Sequence, residues 1–479
     1  MMQYPNIKAT KPIYVLLAAM FLSGCQIWPD YQRPKVNVPA QYVQSDQQAG
    51  SQSMVANNWW TLYQDPVLTG LIESALQNNK DIKLAVARIE EADAVMQEVG
   101  AFLLPQINLE GAARKTRVTE AGAFPVFAAN PRDNFNFAFG TNFELDFWGK
   151  LRRSKESAKA QAMSTRYAKD TVALSLTGLV ASNYLTLRSL ESQITLAQDN
   201  LKSRNDSLAL TKRRLEGGVA SALDVHQAQV ASSNLSAQIA DLNRLRSLSL
   251  HQLALLTGDL NLAVTGLKAS ASNINALPIP PVPPTGLPSA LLESRPDVRQ
   301  AEEQMIAANA NIAVAKAALY PSISLTASLG GESLELGDVL KSAARIWTGG
   351  VGLNLPIFDA GRLDAKVDQA SAKQKQALAN YEGAIQTAFR EVNDALVNLR
   401  QYTEREQALF VSQNEAKKAL TISENRYQSG YSSYIEVLDA QRAYNESGLA
   451  FVQSRQARLT ASVDLFKALG GGWKSADKP

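Results

Sequence analysis

The chain contains stretches in which apolar and polar side chains alternate with a period of two. In the clearest of them, odd positions carry Phe135, Phe137, Phe139, Phe143, Leu145 and Phe147, and even positions carry Asn134, Asn136, Asn142, Glu144 and Asp146. A period of two puts these sets on opposite faces of a β-strand. The alternation predicts four strands, at 105–119, 133–148, 321–331 and 346–358. Half-buried strands of a soluble sandwich alternate in the same way, so the pattern alone leaves a lipid-facing and a soluble sheet open.

Elsewhere apolar residues recur every seven positions, which indicates long helices supercoiled with neighbours. The repeat includes Ala173, Val180, Leu187, Ile194, Leu201, Leu208 and Leu215, and later Leu378, Ile385, Val392 and Leu399. It predicts helices at 149–215 and 222–257, and again at 360–427 and 433–469, with glycine turns between the members of each pair. The first helix would be about 100 Å long at a rise of about 1.5 Å per residue. The prediction is a mixed, mainly α fold with two long helical hairpins.

An internal duplication organises these elements. Residues 214–229 align with 426–441, and 103–112 with 319–328, at nearly the same offset. A proline-rich segment at 277–288 joins the halves, and proline there prevents a continuous helix. The predicted organisation is a signal peptide (1–24), an N-terminal segment (25–60), repeat 1 (61–258), a connector (259–286), repeat 2 (287–469) and a C-terminal tail (470–479).

The N-terminus indicates export. Residues 1–24 carry two lysines, a short apolar run and small residues, which is typical of a cleaved signal. The end Leu22-Ser23-Gly24-Cys25 resembles a bacterial lipobox, in which the cysteine becomes an acylated N-terminus bearing S-diacylglycerol and an N-acyl chain. Cys25 is the only cysteine, so it has no disulfide partner, and a buried thiol is the alternative reading. Gln26 follows it rather than aspartate, which favours the outer membrane.

The net charge and the scarcity of histidine argue against nucleic-acid binding and against metal-dependent or proton-relay catalysis. The formal net charge of +3 falls to +1 without Lys8 and Lys11, so nucleic acid is not an expected partner. The two histidines, His226 and His251, are too few and too far apart for a metal site or a proton relay. We therefore expect no catalytic residues, no bound metal and no cofactor besides the covalent lipid.

The strand count predicts self-association. Four strands cannot close on themselves, because about eight is the smallest number that closes a sheet into a barrel. An open sheet in lipid would leave edge N–H and C=O groups unpaired, at several kcal/mol each. The chain should therefore oligomerise, and three copies would give twelve strands.

Several motifs carry a family resemblance. They are the lipobox, WWTLYQDPVLTGLIESAL (59–76), LDFWGK (145–150), RPDVRQAE (295–302), AANANIAVAKAALYPSISL (307–325), LPIFDAGR (355–362), both glycine turns and KALGGGW (467–473). With these the chain resembles TolC-type outer-membrane efflux channels, in the lipoprotein branch that serves RND (resistance-nodulation-division) multidrug pumps. The resemblance implies a homotrimer with a twelve-stranded barrel in the outer-membrane lipid, a twelve-helix periplasmic α-barrel and an equatorial belt.

The resemblance also implies a function. The trimer would be the passive exit duct of a tripartite system, conducting drugs or other small toxic compounds, with a periplasmic adaptor protein and an inner-membrane RND pump as partners. Two alternatives remain: a duct of the same fold for polypeptide secretion, and a pore-free coiled-coil scaffold lipoprotein.

The hairpin turns are the candidate gate. Ile435 and Asp439, four residues apart, share one face of the returning helix, and Glu436 lies on the adjoining edge. The resemblance implies a closed entrance at these positions, with Tyr427 and Asp224 in the network between hairpins. Relatives can place an arginine where this chain has Ser432, so Arg426 or Arg214 is the candidate replacement. A second interpretation, which is compatible with the first, is that Asp224 and Asp439 are helix-start carboxylates stabilised by the macrodipole.

The same turns are the expected docking site of the periplasmic adaptor. The predicted docking residues are Arg214, Leu215, Gly218, Val219, Ala220 and Ser221 in the first hairpin, and Arg426, Tyr427, Gly430, Tyr431 and Ser432 in the second.

Overall fold

The computed structural model describes residues 30–36, 39, 42, 57–122, 129–267, 273–283 and 291–472. Cys25 and the signal peptide lie outside these residues. The described chain falls into two compact units. The first takes its residues from 1–35, 89–164 and 301–381, and the second from 36–88, 165–300 and 382–479. Each unit therefore contains segments of both sequence repeats, so the repeats are not separate compact units.

A single antiparallel sheet lies in the first unit. It consists of β1 (Ile107–Thr116), β2 (Arg132–Leu145), β3 (Ser322–Ser333) and β4 (Arg345–Asn354), in the order β1-β2-β3-β4. The repeats share this sheet, because β2 of the first pairs with β3 of the second, with Phe139 opposite Leu329. This pairing explains why the duplicated halves do not fold apart.

The predicted alternation is confirmed by the register of the sheet. Leu109, Phe139, Leu329 and Trp347 stand opposite one another across the four strands and form one apolar row. The polar face carries cross-strand hydrogen bonds: Asn134 Nδ2 donates to Glu332 Oε1 at 2.9 Å, and the hydroxyls of Ser328 and Thr348 lie 2.7 Å apart. The sheet thus has one apolar and one polar face.

Three strands are shorter than the alternation predicted: β2 ends at Leu145 rather than at residue 148, and β1 and β4 differ more. β1 ends at Thr116, which pairs with Arg132, the first residue of β2, so the residues beyond it have no partner strand to extend along. β4 ends at Asn354, two residues before Pro356, whose nitrogen cannot donate to a ladder. The end of β1 is therefore determined by the length of its neighbour β2, and the end of β4 by a proline. Side-chain periodicity shows neither of them.

Seven long helices make up most of the remaining structure of the described residues, besides α-helices of four residues and short 3-10 helices. They are α1 (Pro66–Asn78), α2 (Lys80–Ala101), α3 (Lys150–Glu216), α4 (Ala222–Thr257), α5 (Pro296–Ala317), α6 (Arg362–Gln428) and α7 (Tyr434–Ala468). The hairpin helices start and end within two residues of their predicted bounds. Heptad residues Val180, Leu187 and Ile194 of α3 are buried, as supercoil packing requires. No helix within the described residues combines the length and hydropathy that a transmembrane helix needs.

The junction between β2 and α3 is fixed by one carboxylate. Asp146 accepts hydrogen bonds from the backbone N–H groups of Leu151 and Arg152, both at 2.9 Å, and forms an ion pair with the Arg152 side chain. A carboxylate at this place satisfies unpaired donors at a helix start. Nearby, Trp148 is half-buried, and its Nε1 donates to the Pro321 carbonyl at 2.6 Å.

In the second unit, α7 approaches α3 closely at Gly448. A Cβ atom built on Gly448 would lie 2.7 Å from Cδ2 of Leu196. Such a distance is below any real contact, so a larger residue would require the leucine to move. The absent side chain is what lets the two hairpins meet along this part of their length.

Candidate gate and docking site at the hairpin tips

Both hairpins turn in the same way. Gly218 and Gly430 have φ angles of 73° and 80°, in the left-handed region. Beyond them, Val219 N–H donates to the Arg214 carbonyl and Tyr431 N–H to the Arg426 carbonyl, each at 2.9 Å. This six-to-one hydrogen bond after a left-handed glycine is the Schellman motif, which satisfies otherwise unpaired carbonyls at a helix end. The duplicated sequence therefore produces a duplicated turn.

The helices that leave the two turns begin differently. At the start of α4, the Ser221 hydroxyl accepts from Asp224 N–H and the Asp224 carboxylate accepts from Ser221 N–H, both at 3.2 Å. This is a reciprocal capping box. At the start of α7, the N-cap Ser433 makes no side-chain capping hydrogen bond with the described residues, although Glu436 stands at the matching position. Asp224 is thus a helix-start carboxylate within its own hairpin.

Arg214 and Tyr427 connect the two hairpins. Arg214 Nη2 donates to the Gln428 carbonyl at 2.9 Å, and its Cζ lies 4.4 Å from the centre of the Tyr427 ring. The Tyr427 hydroxyl lies 3.3 Å from Oγ1 of Thr211 in α3. Of the two arginines considered as replacements at Ser432, Arg214 makes a hairpin-to-hairpin contact here. For Arg426 that role stays a prediction.

Behind this link lies a small apolar cluster. Tyr427 and Tyr434 are both buried, with ring centres 5.6 Å apart, and they pack with Leu208, Ala228, Ala231, Val437 and Leu438. Burial, together with the nearby Tyr427, raises the pKa of Tyr434 to about 12. The phenol is therefore neutral at physiological pH. The cluster draws residues from α3, α4, α6 and α7, so it holds all four helices at the tip.

The candidate gate residues on α7 face outward in the single chain. Ile435 is 45% exposed, and Asp439 Oδ1 lies 3.6 Å from Arg442 Nη1 one turn further along. Asp439 is five residues past Tyr434, the first residue of α7, and macrodipole stabilisation is confined to about the first turn. Glu436 lies in that first turn and Asp439 does not. The helix-start interpretation therefore fits Asp224 and Glu436 but not Asp439.

The predicted docking residues form an accessible surface at the turns. Tyr431 and Val219 are 79% and 75% exposed, and Leu215 is also an exposed apolar side chain. Gly218, Ser221, Arg426 and Gly430 are exposed, whereas Arg214, Ala220 and Ser432 are half-buried and Tyr427 is buried. An exposed tyrosine and an exposed arginine suit a protein partner, because both residue types are enriched at interfaces.

Sequence reasoning missed several residues of this region. Arg442 could have been found from its spacing of three after Asp439 on a helix. Thr211 and the Gln428 carbonyl carry no motif, and only the packing of α3 against α6 brings them to Tyr427 and Arg214. Within the described residues there is no group of three His, Cys, Asp or Glu that could hold a metal ion, and both His226 and His251 are exposed.

A shared four-stranded sheet, two long helical hairpins and accessible glycine turns define the subunit of an outer-membrane channel. The outer membrane efflux protein family matches residues 71–259 and 287–471, and the chain belongs to this family. The two matched segments correspond to the two predicted repeats. The resemblance to TolC-type outer-membrane efflux channels is thereby confirmed, and the protein is an efflux channel protein of the outer membrane of Gram-negative bacteria.

Individual relatives match along nearly the whole chain. The toluene efflux pump outer membrane protein TtgF of Pseudomonas putida is 36% identical over 476 residues, covering 97% of both chains. The cation efflux system protein CusC of Escherichia coli is 33% identical, covering 95% of this chain and 97% of its own. The open state of the MtrE outer membrane channel of Neisseria gonorrhoeae superposes with a TM-score of 0.83 at 29% identity, covering 95% and 100% of the two chains.

Proposed function

We propose that the protein is the passive exit duct of a tripartite efflux system, conducting drugs or other small toxic compounds from the periplasm to the outside. Its proposed partners are a periplasmic adaptor protein and an inner-membrane RND pump, which supplies the energy. Family membership and relatives named for toluene and cation efflux support this proposal. The duct itself has no proposed catalytic activity.

A gated duct is supported by the small number of contacts that Arg214 makes between the two hairpins at the tips. Its bond to Gln428 and its contact with the Tyr427 ring join the two hairpins beside the apolar cluster of Tyr427 and Tyr434. A cation–π contact contributes about 0.5–1 kcal/mol at an exposed site and about 2 kcal/mol or more when it is desolvated. Contacts of this size suit a closed state that a partner opens. Ile435 and Asp439 of three chains would line the constriction.

A homotrimer is proposed because each chain supplies only part of a closed structure. β1 and β4 are the outer strands of the sheet, and an outer strand in lipid needs a partner for its free edge. Three copies joined β1 to β4 would give twelve paired strands. In this assembly the apolar row of Leu109, Phe139, Leu329 and Trp347 faces lipid and the polar face lines the exit.

We further propose that Cys25 carries the lipid anchor. The proposal rests on the Leu22-Ser23-Gly24-Cys25 boundary and the single cysteine. Five residues beyond it, Asp30 forms an ion pair with Arg153 at 2.9 Å, and Arg33 binds Glu302 through two hydrogen bonds of 2.6 and 2.9 Å. These contacts attach the chain after the anchor to the folded first unit.

The test is conductance of the purified protein in planar lipid bilayers, combined with deletion of its gene and susceptibility testing on a compound panel. Small but measurable conductance and increased susceptibility are expected. If neither the unmodified protein nor a variant with weakened contacts between the hairpins conducts ions, the protein is the pore-free scaffold instead. Unchanged susceptibility with loss of a secreted polypeptide would identify the secretion duct.

A further inference from the structure

A ladder of hydrogen bonds joins the two hairpins of one chain. Each bond links a neutral side chain of α3 to a side-chain amide of α7, and the α3 members follow one another at intervals of seven residues. The pairs are Thr186 with Gln456 at 2.8 Å, Gln193 with Gln453 at 3.1 Å, Asn200 with Asn445 at 2.9 Å and Ser207 with Gln441 at 3.1 Å. One more step of seven reaches Arg214, which donates to the Gln428 carbonyl. This interval keeps side chains on one face of a supercoiled helix, so the ladder is a continuous seam.

The duplicated sequence repeats both sides of this seam. α3 and α6 contain 67 residues each, and both their ends differ by 212 positions, since Lys150 corresponds to Arg362 and Glu216 to Gln428. The first residues of α4 and α7, Ala222 and Tyr434, differ by the same number. The repeat therefore defines a counterpart for every member of the ladder.

The counterparts form two stripes on other helices, one on α6 and one on α4. The α6 stripe consists of Asn398, Arg405, Ser412, Ala419 and Arg426, and the α4 stripe of Arg244, Asp241, Ser233 and Gln229. All of these side chains are exposed in the single chain, whereas the α3 members of the ladder are buried or half-buried. The two stripes are thus exposed helix faces with the spacing of a seam.

The stripes are complementary in charge when they are paired in the order of the ladder. Arg405 falls opposite Asp241, and Asn398, whose amide oxygen can accept a hydrogen bond, falls opposite Arg244. Arg244 also pairs with Asp241 of its own helix, but both of its bonds end on Oδ1. The other carboxylate oxygen is therefore available to a second guanidinium, which forms charge-assisted hydrogen bonds. The other two pairs are Ser412 with Ser233 and Ala419 with Gln229.

Side-chain size fits as well. Within the chain, α7 comes close to α3 where Gly448 lies against Leu196. The counterparts of these residues are Ser236 on α4 and Ala408 on α6, both small and both exposed. The helices that carry the stripes can therefore approach each other at this level too.

We propose that α6 of one chain packs against α4 of the next chain in the register of the internal ladder, with Arg405 paired to Asp241 of the next chain. Each subunit boundary then repeats the hairpin-to-hairpin contact that the chain makes within itself. Such a contact joins two different surfaces head to tail, and it forms a ring when the rotation between chains closes. The inference rests on the proposed homotrimer and adds the surfaces and residue pairs that hold it.

The same register gives Arg426 a place at the tip. Its counterpart Arg214 donates to the Gln428 carbonyl across the internal seam. Arg426 then lies opposite the carbonyl of Glu216 of the next chain, which corresponds to Gln428. The closed tip is thus held by one arginine within each chain and by another between chains.

Cysteine cross-linking tests the register. The full-length protein with Ser412→Cys and Ser233→Cys is purified in detergent, treated with a short bismaleimide and analysed by denaturing electrophoresis. Covalently linked chains are expected. The control keeps Ser233→Cys and moves the other cysteine two heptads along the α6 stripe, to Asn398→Cys, about 21 Å away at a rise of about 1.5 Å per residue. It should give no more linked chains than the unmodified protein, whose single cysteine is Cys25.

A charge exchange tests the ion pair in the same cross-linking protein. Arg405→Glu should slow the linking reaction about threefold or more, because it replaces an attraction at each boundary with a repulsion. Adding Asp241→Arg should restore the rate. Arg400→Glu is the control: this exposed arginine of α6 pairs with Glu404 and lies outside the stripe. It should leave the rate unchanged.

Mass measurement in detergent separates the two possible failures. A trimer in which the matched and shifted cysteine pairs link equally, or in which neither links, overturns the register and leaves the homotrimer standing. Equal effects of Arg405→Glu and Arg400→Glu, or no rescue by Asp241→Arg, overturn the ion pair. A protein that stays monomeric contradicts the proposed assembly and this inference together.

Discussion

The guanidinium of Arg214 lies over the ring of Tyr427, which joins the end of one helical hairpin to the end of the other. The same guanidinium donates to the Gln428 carbonyl, so one side chain makes two different contacts across the hairpins. The planar guanidinium with its five N–H donors suits this combination better than the ammonium group of lysine does.

Replacement of this arginine should loosen the closed tip. Arg214→Ala removes both contacts, so we expect it to raise resting conductance in planar bilayers several-fold. Arg214→Lys should give an intermediate value, because it keeps the charge but not the flat, multi-donor group. Tyr427→Phe removes only the 3.3 Å contact with Thr211 and should have the smallest effect of the three. Arg213→Ala, in the same exposed turn, is the control, and equal conductance in all four variants would contradict the link.

Asp439 and Arg442 should act on ion selectivity in opposite directions. Three Asp439 carboxylates near one axis should favour cations, and Arg442 partly neutralises each of them at 3.6 Å. Reversal potentials in a salt gradient should therefore show weaker cation preference in Asp439→Ala and stronger preference in Arg442→Ala. Divalent block should fall in the first and rise in the second.

The control for this pair is Asp394→Ala, which breaks a similar exposed ion pair with Arg390 on α6. It should leave selectivity unchanged. Ile435→Ala should raise conductance without altering selectivity, because it widens an apolar constriction. If Asp439→Ala changes neither ion preference nor divalent block, the constriction lies elsewhere.

The turn glycine of the second hairpin should resist substitution. Gly430 has φ of 80°, and a left-handed conformation costs a residue with a Cβ about 1–2 kcal/mol. Gly430→Ala should therefore open the tip locally and speed tryptic cleavage near Arg426. Gly383→Ala, within α6 and with no atom within 4 Å of its new Cβ, should not speed cleavage. Similar cleavage rates in both variants would show that the turn does not depend on this conformation.

Mass measurement in detergent should give three chains per particle, because the outer strands β1 and β4 need partners. A monomer that stays folded at low protein concentration would refute the proposed assembly, since its outer strands would remain without partners.

Cys25→Ser should abolish incorporation of labelled palmitate. Export and assembly should continue, because the folded sheet provides a second attachment to the membrane. Label that persists in the variant would place acylation at another residue.

Much of this fold follows from periodicity. The period of two located the four strands, and the period of seven located hairpin helices whose buried residues include Val180 and Ile385. Periodicity is a property of one segment, however, and cannot show which segments meet. The pairing of β2 with β3, which merges the two repeats in one sheet, depends on contacts between distant parts of the chain.

For the same reason, the local features of the hairpin tips were predicted from the sequence, and the features that depend on contacts between helices were not. Glycine turns and the Ser221-Asp224 cap are local, and the sequence shows them directly. Arg204, by contrast, is one of many arginines on a polar-looking helix. Its burial arises only where α4 and α7 close over α3, so no local pattern distinguishes it.

The difference in N-capping between α4 and α7 shows how two hairpins of one duplicated chain can come to differ in stability at their tips. Two identical arms would have equal tendencies to unwind at the tip, and neither would move in preference to the other. Here α4 begins with a reciprocal cap, and α7 begins with a serine that caps nothing among the described residues. A missing N-cap interaction typically costs about 0.5–2 kcal/mol of helix stability. The exchange of Asp224 for Glu436 at the matching position accompanies the loss of the cap, so we expect the start of α7 to unwind more readily than the start of α4.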